Sequence, residues 1–280
     1  LPEGINVASI TSLAFTSAVD AKCAELRALY GHRKLIFGCD PPDSLGGVDK
    51  KLQAFARFLE THPEWKDKVV LVQTCSRPAA EHANEEDEAK YTNKVNSLVA
   101  AINQVHGSLG GFAPLSMHSQ NLSREEYFAL LRLADAALIT SAREGMSTTG
   151  LEYVACQQRD DHDKDSEVDE GDDGTAHGQL IISEFSGTAS SLEEALQINP
   201  WDVAGVAERI DEALPKIDAF IDLAVRAGRD RVRLIHGRGT GTLRRAVREL
   251  VAEHPLVSSF EEAGRAEGGA GVTIVHLQTN

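Results

Sequence analysis

From Phe37 to Lys51 the chain reads Phe-Gly-Cys-Asp-Pro-Pro-Asp-Ser-Leu-Gly-Gly-Val-Asp-Lys-Lys. A β-like run that begins at Lys34 stops at Cys39, a turn of glycines and prolines follows, and an amphipathic helical pattern opens at Val48. Strand, glycine turn and helix in that order open a β-α-β unit, because two parallel strands can be joined only by a helix-length crossover. The turn also has a chemical consequence. A helix start leaves backbone N–H groups without intrahelical partners and carries the positive end of the helix dipole, so this junction is a candidate anion site.

The alternation continues along the chain. Candidate strands are Lys34–Cys39, Lys68–Thr74, Phe112–His118, Ala136–Thr140 and Gln179–Glu184; helical patterns lie at Val48–Thr61, Ala89–His106, Ser123–Ala134 and Thr148–Gln157. Ser123 followed three residues later by Glu126 fits a capping box, which supports a helix start there. The expected fold class is α/β, a doubly wound parallel sheet covered by helices on both faces. Ligands of such sheets sit beyond the carboxyl ends of the strands. The loops after Cys39, His118, Thr140 and Glu184 are therefore the ones that matter.

Length and hydrophobic content, 280 residues and 42%, allow one large domain or two small ones. No run reaches the apolar length needed to cross a membrane. The chain opens on Leu1 without a basic-then-apolar leader, and reads as an excerpt of a longer protein. Cys23, Cys39, Cys75 and Cys156 form no Cys-x-x-Cys pair, so reduced thiols, no zinc site and a cytoplasmic location are expected.

The net charge of −15 is unevenly spread. Residues 215–280 hold 10 Lys+Arg and 8 Asp+Glu, a net +2, which leaves 18 and 35, a net −17, for the rest. Nine acidic and two basic residues fall in Arg159–Gly178, which is expected to be a solvated, disordered insertion, 159–178. Asp161–Asp172 alternates carboxylates as a calcium loop does. However, Ser166 stands at the required glycine and Asp172 at the closing glutamate, so no metal is expected. An acidic body argues against nonspecific nucleic-acid binding by the larger part. Between Arg226 and Arg248, by contrast, eight arginines accompany one acid, Asp230, and this is the one plausible nucleic-acid footprint.

Several ordered motifs resemble trehalose-6-phosphate synthases, glycosyltransferase family 20. They are the turn at Asp40–Gly47, the helix-then-strand segment Phe55–Gln73, Ile139–Gln158 with its Arg143-Glu-Gly-Met-Ser147 turn, Leu180–Gly187, and Ile198-Asn-Pro-Trp201. The resemblance spans roughly residues 2–214 and covers the carboxyl-terminal, donor-binding half of a two-lobed GT-B glycosyltransferase fold. It implies UDP-glucose as ligand, with no other cofactor. Glu152 aligns with the glutamate that binds the ribose hydroxyls, Glu144 replaces the aspartate that contacts glucose, and Ser147 replaces the asparagine beside it. Gly145 and Met146 keep that backbone turn, and Gly47 keeps the glycine of the family's Asp-Arg-x-Asp-x-x-Lys-Gly loop. In the same loop the diphosphate-gripping Arg and Lys have become Pro41 and Gly46. Lys50 or Arg143 could fill in. Fungal trehalose synthase complexes contain synthase-like subunits that have lost chemistry, so the resemblance implies an impaired regulatory or structural subunit whose partners are the other subunits of such a complex.

Past Leu214 a second resemblance begins. Val232–Leu250, His254–Phe260 and Glu267–Val275 resemble the Smr (small MutS-related) domain, a nucleic-acid-binding module, some of whose members nick their ligand. The residues carried over are His236, Gly237, Arg238, Gly239 and Arg244. The opening strand of that family, Leu-Asp-Leu-Arg/His-Gly, is missing; its aspartate falls on Ala204. The expected division is 1–209 for the donor-binding domain and 210–280 for the Smr-like module, with an artificial or recombined junction. Asp202–Leu214 fits the helix of either family, so one continuous helix serving both modules is an expectation, with Pro215 either near a helix start or kinking it.

His118 is expected to be an ordinary loop histidine, and Trp65 and Trp201 to be packing residues in apolar surroundings. Three functions stand in order. The first is an impaired UDP-glucose-binding domain, the second a nucleic-acid-binding protein acting through its tail, and the third a working synthase, which would need the missing lobe and the missing Arg and Lys.

Overall fold

The computed structural model describes residues 4–31, 33–41, 43–74, 85–108, 112–119, 122–157, 178–192, 194–214, 224–225, 228–235, 244, 247–248, 251–252, 254, 256–264 and 269–278. They fall into two compact units, one up to Leu214 and one after it.

The first unit is built on a parallel sheet of β1 (Lys34–Cys39), β2 (Val69–Thr74), β3 (Leu115–His118), β4 (Ala136–Ile139), β5 (Gln179–Ser183) and β6 (Leu196–Ile198), in the order β3-β2-β1-β4-β5-β6. Its helices are α1 (Val7–Ala14), α2 (Ser17–Tyr30), α3 (Val48–Thr61), α4 (Glu85–His106), α5 (Arg124–Leu133), α6 (Thr148–Gln157) and α7 (Val203–Ala213). Successive strand side chains point to opposite faces, and here both faces are apolar. Ile36, Leu71, Leu138 and Ile181 enter one core with Phe55 and Phe58 of α3, Ile102 of α4 and Ile210 of α7. Their neighbours Phe37, Val70, Val72, Ile139 and Ile182 enter the other with Val19 of α2, Leu131 of α5 and Tyr153 of α6. The doubly wound sheet expected from the alternation is formed.

The capping box is formed as well: Glu126 N–H donates to Ser123 Oγ at 3.1 Å, and Ser123 N–H to Glu126 Oε2 at 3.0 Å. Two elements ahead of β1, α1 and α2, carry no strong pattern; α2 buries only Val19 and Cys23, a stripe too thin to stand out. The third strand starts at Leu115, after Pro114, rather than at Phe112.

Two expectations are corrected. One continuous helix does not serve both modules: α7 stops at Ala213, and Leu214 is extended (ψ 129°), the conformation favoured before a proline. Trp65 packs on Phe58 with its indole N–H on Asp211, but Trp201 is 53% exposed, its ring edge-to-face with the exposed Phe185 at 5.2 Å. Trp201 sits in the turn after β6, where its apolar sequence neighbours do not decide which way the side chain points.

The second unit contains an antiparallel sheet of β7 (Arg231–Ile235), β8 (Val257–Glu262) and β9 (Val272–Leu277), in the order β7-β9-β8. Val232, Val275 and Leu277 of the sheet pack with Val247 and Val251, which are helical. It is a small α/β module. Among the described residues no helix is long and apolar enough to cross a membrane. Cys23 and Cys156 are buried free thiols. Cys75, the calcium-like run Asp161–Asp172 and the rest of the acidic stretch up to His177 lie outside the described residues.

Candidate functional site

The chain winds from β1 outward to β3 and then returns to the other side of β1 as β4. The carboxyl ends of β1 and β4 are therefore where the winding reverses, the position at which open α/β sheets hold their ligands. Two loops meet there, Asp40–Gly47 and Thr140–Ser147. Gly47 caps α3 in the left-handed region at φ +69°, and a Cβ on it would stand 2.1 Å from Thr140 O, so glycine is required twice over. Thr140 Oγ1 donates to Gly47 O at 3.1 Å and Ala142 N–H to Leu45 O at 2.7 Å, which ties the loops together.

The amides of the helix start are already engaged in part. Asp43 Oδ1 accepts from Leu45 N–H at 2.9 Å and Gly46 N–H at 2.7 Å. Asp49 N–H donates to the Tyr91 hydroxyl at 3.1 Å, while the Asp49 carboxylate holds Lys94 Nζ at 2.6 Å. Gly46 is buried, and a Cβ there would lie 2.3 Å from the Pro41 carbonyl oxygen.

Neither expected substitute cation is a buried group at the site: Arg143 is exposed and Lys50 half-buried. The buried cation is the next residue, Lys51. Its side chain has no exposure and its Nζ is ion-paired with the Asp40 carboxylate at the end of β1. Gln73 Nε2 reaches the same Asp40 oxygen at 3.2 Å. This charge is therefore spent inside the fold.

Glu144 Oε2 accepts from Ser141 Oγ at 2.6 Å. Burial pushes the Glu144 carboxyl above the usual range and the nearby Asp40 adds to this, against the Ser141 hydrogen bond and Lys51. Its peptide pairs with Ser186 of the loop after β5, and Gly187 N–H donates to Glu144 O at 3.1 Å. Gly145 is exposed and Met146 half-buried. Ser147 is buried, its N–H donating to Thr188 Oγ1 at 2.7 Å. Glu152, on α6, accepts from the Tyr127 hydroxyl of α5 at 2.5 Å. Burial, then the Glu152 charge, push the Tyr127 phenol up, so it stays a donor.

Gly47 and the turn Glu144–Ser147 are thus brought together at the carboxyl end of the sheet's central strands. His118 is exposed and is the last residue of β3, not a residue of the loop beyond it, with its ring 3.0 Å from Ser116 Oγ of the same strand. In the second unit, Arg244 and Arg248 face Glu262 at 4.0 and 3.2 Å, and Arg231 is exposed on β7. His236, Gly237, Arg238 and Gly239 lie outside the described residues. Sequence reasoning missed Lys51–Asp40 and Tyr127–Glu152. The first had a signal, since Lys51 falls on the face of α3 that carries Val48, Leu52 and Phe55; the second had none. Among the described residues no group of histidines, cysteines and carboxylates is placed to hold a metal.

A family model described as glycosyltransferase family 20 matches residues 1–219, and one described as the Smr domain matches residues 202–278. Among curated relatives, a trehalose-phosphatase of Saccharomyces cerevisiae is 39% identical over 219 residues, covering 78% of this chain and 23% of the yeast protein. The 56 kDa subunit of the UDP-forming α,α-trehalose-phosphate synthase of the same yeast is 34% identical, over 76% of this chain and 39% of that subunit. Among solved structures, the N-terminal domain of the trehalose-6-phosphate phosphatase of Candida albicans superposes with a TM-score of 0.66 at 37% identity, over 80% of this chain and 43% of that one. The chain spans less than half the length of each of these proteins.

Proposed function

Because the chain belongs to glycosyltransferase family 20 and carries an Smr domain at its carboxyl-terminal end, we propose that its first unit is the donor-binding half of a synthase-like protein that has lost the grip on diphosphate. It acts as a regulatory or structural part of trehalose-phosphate metabolism, assembled with other subunits of that pathway, and not as a catalyst. The turn Asp40–Gly47 carries the reading. Pro41 and Gly46 stand at the cation positions, Asp43 is turned onto the loop's own amides, and Lys51 is committed to Asp40.

Two charge-assisted contacts at roughly 1.5–3 kcal/mol each are worth about a hundred- to ten-thousand-fold in affinity. A calorimetric titration with UDP-glucose is therefore expected to give no heat below millimolar ligand. Micromolar binding would show that the remaining groups suffice and would overturn the impairment.

The Smr match favours a second reading, in which the second unit binds nucleic acid. The arginine-rich tail supplies the charge, with Arg231 exposed on the edge strand β7. Retention on single-stranded RNA is expected to fall steeply with salt, and to drop at least tenfold when Arg238 and Arg244 are both changed to alanine. Retention that ignores both salt and these arginines would reject it.

A further inference from the structure

We propose that Tyr127 is a positioning residue for Glu152, holding that carboxylate ready for the vicinal hydroxyls of a nucleoside ribose, and that the remaining ligand affinity of this site resides at its nucleoside end. The inference rests on the donor-half reading of Glu152. Tyr127 stands on α5, its ring edge-on to Phe37 of β1 at 6.0 Å and to Phe128 at 5.6 Å, so the phenol is fixed by core packing. From there its hydroxyl reaches α6 and donates to Glu152 Oε2 at 2.5 Å. An unanchored glutamate samples several rotamers, and a ligand must order it on binding. Here the ordering precedes the ligand. A carboxylate accepts about four hydrogen bonds, so one tyrosine leaves capacity for a diol.

The other end of the site offers no such preparation. The carboxylates Asp40 and Glu144 lie there, Lys51 is committed to Asp40, and Asp43 engages two of the loop amides. A phosphate placed there meets no buried cation among the described residues that is not already paired. The preferred ligand class is accordingly a nucleoside with an intact 2′,3′-diol, to whose binding phosphates add little.

The test is a ligand-observed NMR titration of the full chain with uridine, UDP and 2′,3′-dideoxyuridine, for the wild type, Tyr127→Phe and Glu152→Gln. Uridine and UDP are expected to bind within about threefold of each other, because no buried cation among the described residues is left unpaired to meet the phosphates. Tyr127→Phe is expected to weaken uridine about tenfold, the size of a lost hydrogen bond to a charged group. It should leave the dideoxynucleoside within about twofold, since that ligand never uses the positioned carboxylate. A merely structural tyrosine would weaken both nucleosides alike, and that result overturns the proposal. So does an unchanged uridine affinity in Tyr127→Phe alongside a loss in Glu152→Gln, which would leave the donor-half reading standing. UDP binding at least tenfold tighter than uridine overturns the nucleoside-end claim. If the wild type binds neither uridine nor UDP, this inference fails, while the impaired donor-half reading, which expects no UDP-glucose binding below millimolar ligand, stands.

Discussion

Lys51→Met is expected to lower the melting temperature of the first unit by roughly 6–20 °C. The side chain of Lys51 has no exposure, that of Asp40 is 2% exposed, and the two are ion-paired just after the end of β1. Removing one partner of such a pair leaves a bare buried charge and costs about 3–5 kcal/mol. In a unit of this size each kcal/mol moves the midpoint by roughly 2–4 °C. Replacing both partners is a different experiment, because it removes the desolvation penalty together with the attraction. Lys51→Met with Asp40→Asn is therefore expected to recover at least half of the loss, with the asparagine still accepting from Gln73 Nε2. Both tryptophans, Trp65 and Trp201, lie in the first unit, so fluorescence follows its unfolding apart from the second. A midpoint within about 2 °C of wild type would mean that the pair is solvated, and that Lys51 is free to turn toward a ligand phosphate.

The pair also shows where the sequence stopped being readable. β1, α3 and α6 are found at the residues expected, because apolar periodicity and breakers mark both their ends. Lys50 and Arg143 are the spare cations that the sequence suggests, and Lys51, the buried neighbour of Lys50, escapes notice for a local reason. Adjacent residues on a helix point about 100° apart, so Lys51 is buried while Lys50 is only half-buried. Charge alone suggests that neither should be buried. What buries Lys51 is Asp40 on a different element, a contact that no spacing records. Tyr127 and Glu152 are likewise on separate helices, joined only because α5 and α6 pack side by side on one face of the sheet. The family motifs located the loops of the site, but they could not show which of its charges were already satisfied.

That distinction governs what restoring the lost residues can do. Gly46→Lys is expected to cost about 1–3 kcal/mol as an overpacked substitution and to leave UDP-glucose affinity within about threefold of wild type. The obstruction is the Pro41 carbonyl oxygen, 2.3 Å from where the new Cβ must go. A backbone oxygen is not removed by changing its own side chain. Pro41→Arg added to Gly46→Lys supplies both cations and still meets that carbonyl. The peptide after residue 41 is restricted in turn by Pro42, because a residue preceding proline is held to extended conformations. Only the variant in which Pro42 is also exchanged, for a residue without that restriction, is expected to let the carbonyl rotate and the lysine enter. Its affinity for UDP-glucose should then rise by roughly a hundred- to ten-thousand-fold, the worth of two charge-assisted contacts. Calorimetry on the three variants separates the alternatives. If Pro41→Arg with Gly46→Lys already binds at micromolar ligand, the loop yields easily and the site was disabled by loss of charge alone. If binding appears only with Pro42 exchanged, the backbone of the turn was itself remade, and the two missing cations are a consequence of that closed turn as much as its companion.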